Sequence, residues 1–202
     1  MKDNKPVRKL YVAYGSNLNI EQMKYRCPTA KLVGTGMAKD FELQFKGREG
    51  HAFATISPKE GAETPIAVWE IGKYDEVCLD RYEGYPNSYY KQDVPVEVDG
   101  KTFSAMAYIM NQRYEFGIPN PYYYATVNKG YKDCGLDTTY LEEAIAESSK
   151  QYYKLNAPRF YSELKEGEEE EYDEDDDIDE DDDIDEDDDI DEGDGDGWDY
   201  RM

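Results

Sequence analysis

Tyr11-Val12-Ala13-Tyr14-Gly15-Ser16-Asn17-Leu18, YVAYGSNL, is the stretch on which the reading of this chain turns. Tyr11 and Ala13 alternate with Val12 and Tyr14, as side chains do on the two faces of a short strand. Gly15, Ser16 and Asn17 then make a small polar turn. Beyond it, Ile20, Met23 and Lys24 take up helical spacing, with Asn17 or Asn19 as the N-cap. A strand, a glycine turn and a helix start leave unpaired N–H groups at the positive end of a helix, where a carboxylate or an oxyanion can be held. The same residues also serve ordinary turn and capping chemistry, and the local pattern leaves both readings open.

Outward from that stretch, Lys9–Tyr14 reads as a strand and Ile20–Arg26 as a short helix stopped by Pro28. Ala30–Met37, Phe41–Phe45, Phe53–Ile56 and Pro65–Ile71 are expected strands, the last preceded by a loop over Pro58–Thr64. Tyr74, Val77, Cys78 and Tyr82 recur at helical spacing in Lys73–Glu83, which Gly84 and Pro86 end. Asp93–Val98 and Thr102–Met110 flank Asp99-Gly100, a two-residue hairpin signal. Tyr123–Cys134 and Thr138–Tyr153 read as helices. Strands with inserted helices, without regular alternation, indicate an α+β fold. So many short strands need their edges hidden, which favours a small mixed β-barrel.

The 202 residues carry a formal net charge of −24, but the charge is not spread evenly. Residues 166–202 hold 25 of the 47 acidic residues and only one basic residue, Arg201, so residues 1–165 are formally neutral. The expected organisation is a folded domain over 1–165 followed by a disordered acidic tail over 166–202. In that tail DEDDDI occurs three times in tandem, from Asp173, Asp179 and Asp185, a period that matches neither helix nor strand packing. Glu192–Gly197 looks superficially like a calcium loop, but it starts on Glu and stops short of a closing bidentate Glu. The tail is an electrostatic handle for a basic protein partner or a solubilising appendage.

The three cysteines, Cys27, Cys78 and Cys134, have no zinc-ligand spacing and are odd in number. Idle thiols in a reducing compartment, no apolar leader and no run of about 18 apolar residues point to a cytoplasmic protein without a membrane span. Neither a Walker loop nor a dinucleotide fingerprint occurs, and the body has no basic run for nucleic acid. His51 is the single histidine, which argues against a Ser-His-Asp or Cys-His triad and a His-rich metal site.

Glu83 is the carboxylate of the body that stands out. It ends a helix in LDRYEGYP, where the negative helix end and the neighbouring tyrosines both disfavour ionisation and raise its pKa toward that of a working general base. A solvated Glu83 paired with Lys73 or Arg81 is the plain alternative. Tyrosine accounts for 20 residues. Most serve as packing aromatics that need one hydroxyl partner each, while Tyr89, Tyr90 and Tyr122–Tyr124 are placed to line a pocket.

Taken together, YGSNL, VWEI followed by LDRYEGYPNSYY, and YIMNQRYEFGIPNPYYY resemble the gamma-glutamylcyclotransferase family over about Leu10–Leu136. The resemblance implies a mixed α/β cyclotransferase barrel. It also implies a cofactor-free, metal-free reaction that turns a gamma-glutamyl amino acid into 5-oxoproline and a free amino acid. By position, Tyr14, Gly15, Ser16, Asn17 and Leu18 would bind the gamma-glutamyl moiety and Glu83 would be the catalytic acid–base. Tyr90, Tyr108 and Tyr123 match site tyrosines, with Tyr122 and Tyr124 as alternatives to Tyr123 because the chain is one residue longer there. Relatives that act on gamma-glutamyl-lysine isopeptides or on antibiotic tailoring groups leave the leaving amine open. From another class, the body would be an inactive cyclotransferase-like binding module displaying the tail.

Overall fold

The computed structural model describes residues 7–48 and 50–169, with side chains to residue 157. The chain divides into two units, Met1–Ser162 and Glu163–Met202. Of the second only the helical stretch to Glu169 is described, and the expected acidic tail otherwise lies outside the described residues.

Five strands form the first unit's sheet: β1 (Arg8–Ala13), β2 (Lys31–Arg48), β3 (His51–Gly72), β4 (Tyr89–Val98) and β5 (Lys101–Met110). They close into a barrel in the order β1-β3-β2-β4-β5, with a parallel pairing of β1 to β5 and antiparallel pairings elsewhere. The expected α+β barrel with inserted helices is therefore present. Closure leaves no free sheet edge along the paired stretches, which is how a sheet of this size protects its backbone groups. Val12, Phe45, Ile56, Ile66, Val68, Val94 and Val96 are all fully buried in its core.

Two expected pairs of strands are in fact two long strands. Ala30–Met37 and Phe41–Phe45 fuse into β2, and Phe53–Ile56 and Pro65–Ile71 fuse into β3. The expected Pro58–Thr64 loop persists as a bulge, because pairing passes from Lys39↔Glu63 directly to Phe41↔Pro58. Asp40 takes a positive φ of 60° there and its carboxylate accepts the Gly61 N–H at 2.8 Å. Pro58 and Thr64 are themselves paired, so the expected loop is part of β3, and only the residues between Pro58 and Glu63 stand out of the ladder.

Among the described residues there are four α-helices: α1 (Ile20–Arg26), α2 (Lys73–Glu83), α3 (Pro121–Asp133) and α4 (Thr139–Glu169). Asn19 caps α1 by accepting the Gln22 N–H, and Asn120 caps α3 by accepting the Tyr123 N–H, with Pro121 opening that helix. The buried Asp75 anchors the start of α2, accepting from the Gly72 N–H at 2.9 Å and from Thr29. Gly84 ends α2 in the left-handed region at φ 64°, a conformation that favours glycine. Ser148 of α4 accepts the Phe45 N–H at 2.9 Å and Leu141 is fully buried, which seats the first part of α4 on β2. Among the described residues, no helix is long and apolar enough to cross a membrane.

Candidate active site

β1 ends at Ala13, and Ser16–Leu18 form a single 3-10 turn before α1. All three residues of that turn are buried. α3 lies directly on it: a Cβ on Gly130 would stand 2.6 Å from the Asn19 nitrogen and 2.7 Å from the Leu18 Cβ. Bare glycine at 130 is what lets the helix press the turn in place. The Cys134 thiol donates to the Leu18 carbonyl from the same side.

Across this turn stands the C-terminal end of α2, and with it Glu83. The Asn17 carboxamide donates to Glu83 Oε1 at 2.8 Å and to the Tyr11 hydroxyl at 2.8 Å. No ion pair from Glu83 to Lys73 or Arg81 forms among the described residues. Burial raises the Glu83 pKa from 4.5 to about 7, against the lowering influence of the Arg26 guanidinium and the Asn17 hydrogen bond. Its second carboxylate oxygen has no protein partner among the described residues.

Glu83 opens on a small pocket of about 30 Å³. Gly15, Ser16, Asn17 and Ala54 form part of its wall, and the rings of Tyr11, Tyr14, Tyr89, Tyr108 and Tyr123 form the rest. Two of the hydroxyls finish the free edge of β3 at Ala54: Tyr123 accepts the Ala54 N–H at 3.1 Å, and Tyr89 donates to the Ala54 carbonyl at 3.0 Å. The Ser16 N–H also bears on the Tyr123 oxygen. Tyr14 donates to the Tyr108 carbonyl, and the Tyr108 hydroxyl donates to Asp80 at 2.6 Å. Burial first, and then the negative charge of Glu83, push the Tyr11 and Tyr14 phenols well above their ordinary value. Tyr123 is raised as well, chiefly by burial. These phenols stay protonated around neutral pH.

Most of the residues expected from sequence come together here. Tyr14, Gly15, Ser16, Asn17, Glu83, Tyr108 and Tyr123 all line the pocket. The choice among the three consecutive tyrosines resolves geometrically, since Tyr122 is 88% exposed while Tyr123 packs edge-on to Phe53 and Phe45. Leu18 and Tyr90 stand outside the lining. Leu18 is fully buried in the core beneath α3. Tyr90 lies on the face of β4 that also carries Val94 and Val96, whereas Tyr89 shares the other face with Lys91 and, across the ladder, Tyr108. That second face is the one α2 covers, through ion pairs from Lys91 to Glu76 and Asp80.

Sequence reasoning passed over Tyr11, Ala54, Arg26 and Tyr82 as site residues, and named Tyr89 and Tyr90 together as placed to line a pocket. The period-two parity of β4 relative to Tyr108 is the signal that selects Tyr89; nothing local marks Ala54. Arg26 donates to the Asn17 side-chain oxygen at 2.7 Å and to the Tyr82 hydroxyl at 2.8 Å, and Tyr82 in turn lies 3.1 Å from Ser16 Oγ. A larger groove, about 500 Å³, lies between the β2–β3 ladder and α4. It is lined by Glu42, Glu63, Glu143 and Glu147 and contains none of these residues.

The comparisons with known proteins converge on one group. The family model described as gamma-glutamyl cyclotransferase, AIG2-like, matches residues 11–126. The chain is 31% identical to human gamma-glutamylcyclotransferase over 171 residues, covering 79% of this chain and 89% of the human one. The bovine gamma-glutamylcyclotransferase is 30% identical over the same span. A solved structure described as gamma-glutamyl cyclotransferase superposes with a TM-score of 0.62 at 31% identity, covering 68% of this chain and 86% of that one. The matched span runs from the first pocket tyrosine, Tyr11, past the last, Tyr123, and this chain belongs to the gamma-glutamyl cyclotransferase, AIG2-like family.

Proposed function

We propose that this chain is a gamma-glutamylcyclotransferase that converts a gamma-glutamyl amino acid into 5-oxoproline and the free amino acid. The observation that carries the reading is the Asn17–Glu83 contact. It joins the YGSNL turn to a carboxyl raised to about 7, at the mouth of a pocket walled by tyrosine rings.

The substrate brings its own nucleophile, an α-amine that is protonated at neutral pH. Glu83, ionised in about half of the molecules at pH 7, is matched to take that proton, since an α-ammonium titrates near 8. The freed nitrogen attacks the gamma-carbonyl and closes a five-membered ring, the ring nitrogen sheds a second proton, and the old amide C–N bond breaks. Glu83 relays both protons from the attacking to the departing nitrogen, which leaves as an ammonium beside the neutral lactam. Ring closure is intramolecular, so holding the folded conformer supplies much of the acceleration.

Tyr123 is the candidate donor to the developing oxyanion. Its oxygen already receives the Ala54 N–H and faces the Ser16 N–H, so its own proton is free to point into the pocket. Gly15 lets the substrate approach the turn, because a Cβ there would stand 3.1 Å from Ala54 Cβ and 3.2 Å from the Tyr123 hydroxyl. Among the described residues the constellation draws only on residues 11–123, within the first unit. Three free cysteines support a reducing, cytoplasmic location.

The direct test is release of 5-oxoproline from gamma-glutamyl-alanine by the full chain, with Glu83→Gln as the control. Absence of turnover in the unmodified protein overturns the reading.

A further inference from the structure

Arg26 is the last residue of α1 and approaches the turn from behind, away from the pocket it helps to shape. Both arms of its fork are engaged: one meets the Asn17 side-chain oxygen at 2.7 Å, and the other meets the Tyr82 hydroxyl at 2.8 Å and the Gln22 side-chain oxygen. The guanidinium carbon also lies 3.7 Å from the centre of the Tyr82 ring. A carboxamide has one accepting end and one donating end. With its oxygen held by a guanidinium, the Asn17 amide must turn its NH2 the other way, where its two protons reach Glu83 and Tyr11. The flipped amide would set its oxygen against the Glu83 carboxylate and its NH2 against Arg26, an unfavourable match at both ends.

We propose that Arg26 is a positioning residue of this site, fixing the Asn17 carboxamide in its donating orientation toward Glu83 and, through Tyr82, holding Ser16 at the other end of the turn. This rests on the reading of Glu83 as the acid–base group. Arg26 lines no part of the pocket and acts through Asn17 and Tyr82. Lysine would keep the charge but lose the planar fork, so the two contributions separate experimentally.

The surroundings of Glu83 make the charge legible. Tyr11 of β1, Tyr14 after it, Tyr89 of β4, Tyr108 of β5 and Tyr123 of α3 all face it. Burial raises each of these phenols, and the Cys27 thiol after α1 is likewise pushed up to about 12. On its own helix Tyr82 is the neighbouring phenol and Tyr74 is exposed, while Glu76 and Asp80 of that helix turn to Lys9 and Lys91. Arg26 is then the charged group in this set that acts on Glu83, and its effect is to lower the carboxyl's pKa.

The experiment follows kcat/KM against pH, and titrates the Glu83 side-chain carboxyl by carbon NMR, in the full chain and in Arg26→Met, Arg26→Lys, Asn17→Ala and Asn17→Ala/Arg26→Met. In Arg26→Met both readouts should move the Glu83 titration upward by about one pH unit, with kcat at least about 10-fold lower. Arg26→Lys should restore the titration but not kcat. On the Asn17→Ala background, removing Arg26 should cost less than about 2-fold further, since the two act as a unit. An unmoved Glu83 titration in folded Arg26→Met, or in Arg26→Lys an undiminished kcat, overturns the proposal. So does a loss in the double variant that simply multiplies the single ones. If the unmodified chain releases no 5-oxoproline, the enzymatic reading fails, whereas the NMR titration still decides whether Arg26 governs Glu83.

Discussion

Asn17 Nδ2 stands 2.8 Å from Glu83 Oε1, across 66 residues of sequence. One belongs to a turn that ends the first strand and the other to the last residue of α2. The contact makes a single site out of two stretches that each look ordinary alone, and it exists because α2 is tied down at both ends. Asp75 holds its start to Gly72 and Thr29, and Gly84 terminates it one residue after Glu83.

Replacing the carboxyl while keeping its shape tests the chemistry. Glu83→Gln should fold and lower 5-oxoproline release by about 10²- to 10⁴-fold, the range expected when a general acid–base is lost. Turnover within a few-fold of the unmodified chain would remove Glu83 from the mechanism.

The same carboxyl predicts opposite trends for activity and stability. As a base Glu83 must be ionised, so kcat/KM should rise with pH through an acid limb near 7. For stability, the folded pKa lies above the unfolded value of 4.5. As pH rises from about 4.5 to 7, the unfolded chain releases this proton while the folded one retains it, so the folded state loses ground over that window. Glu83→Gln should therefore be more stable than the unmodified chain at pH 8, by about 1–3 kcal/mol, and no more stable at pH 4. Denaturant melts at the two pH values check the sign.

Gly15→Val places a branched side chain beside Ala54 and the Tyr123 hydroxyl, where even a Cβ is tight. kcat/KM for gamma-glutamyl-alanine should fall by at least about 10-fold while the fold is retained. An unchanged kcat/KM would show that the turn only supports the strand.

The tyrosines should separate by face. Tyr123→Phe removes the proton aimed at the oxyanion and should lower kcat by about 10²-fold. Tyr90→Phe, on the other face of β4, should leave kcat within about 2-fold. Tyr89→Phe loses its bond to the Ala54 carbonyl and should cost about 1 kcal/mol of stability. Steady-state kinetics and urea melts on the three variants, run side by side, decide it.

Deleting residues 170–202 should leave turnover unchanged, because every pocket residue among the described residues precedes 124. Dependence of turnover on that segment would show that the acidic stretch takes part in catalysis or in substrate capture.

The strand–turn–helix opening, the end of α2 at Glu83 and the hairpin at Asp99-Gly100 were legible because each is a short-range rule: alternation, capping and turn preference act within a few residues. The fusion of two pairs of short strands into β2 and β3 was not. Ladder pairing between the two strands overrides local loop signals such as Pro58 and Gly61, and only the partner strand shows that pairing resumes beyond them. Which of Tyr89 and Tyr90 lines the pocket was not legible for a similar reason. Adjacent strand residues face opposite ways, and which way depends on the register with β5 and on where α2 lies.

By itself, then, the sequence determined the turn, the glutamate at a helix end and the family pattern that links them, since these rest on residue types at local spacings. Tertiary structure alone decided that Asn17 and Glu83 touch, that Ala54 is the edge the tyrosines close, and that Arg26 stands behind the amide. It decided, too, that burial carries the carboxyl to about 7. Burial and hydrogen-bond direction are set by what other segments bring to a point in space, and no window of sequence contains them.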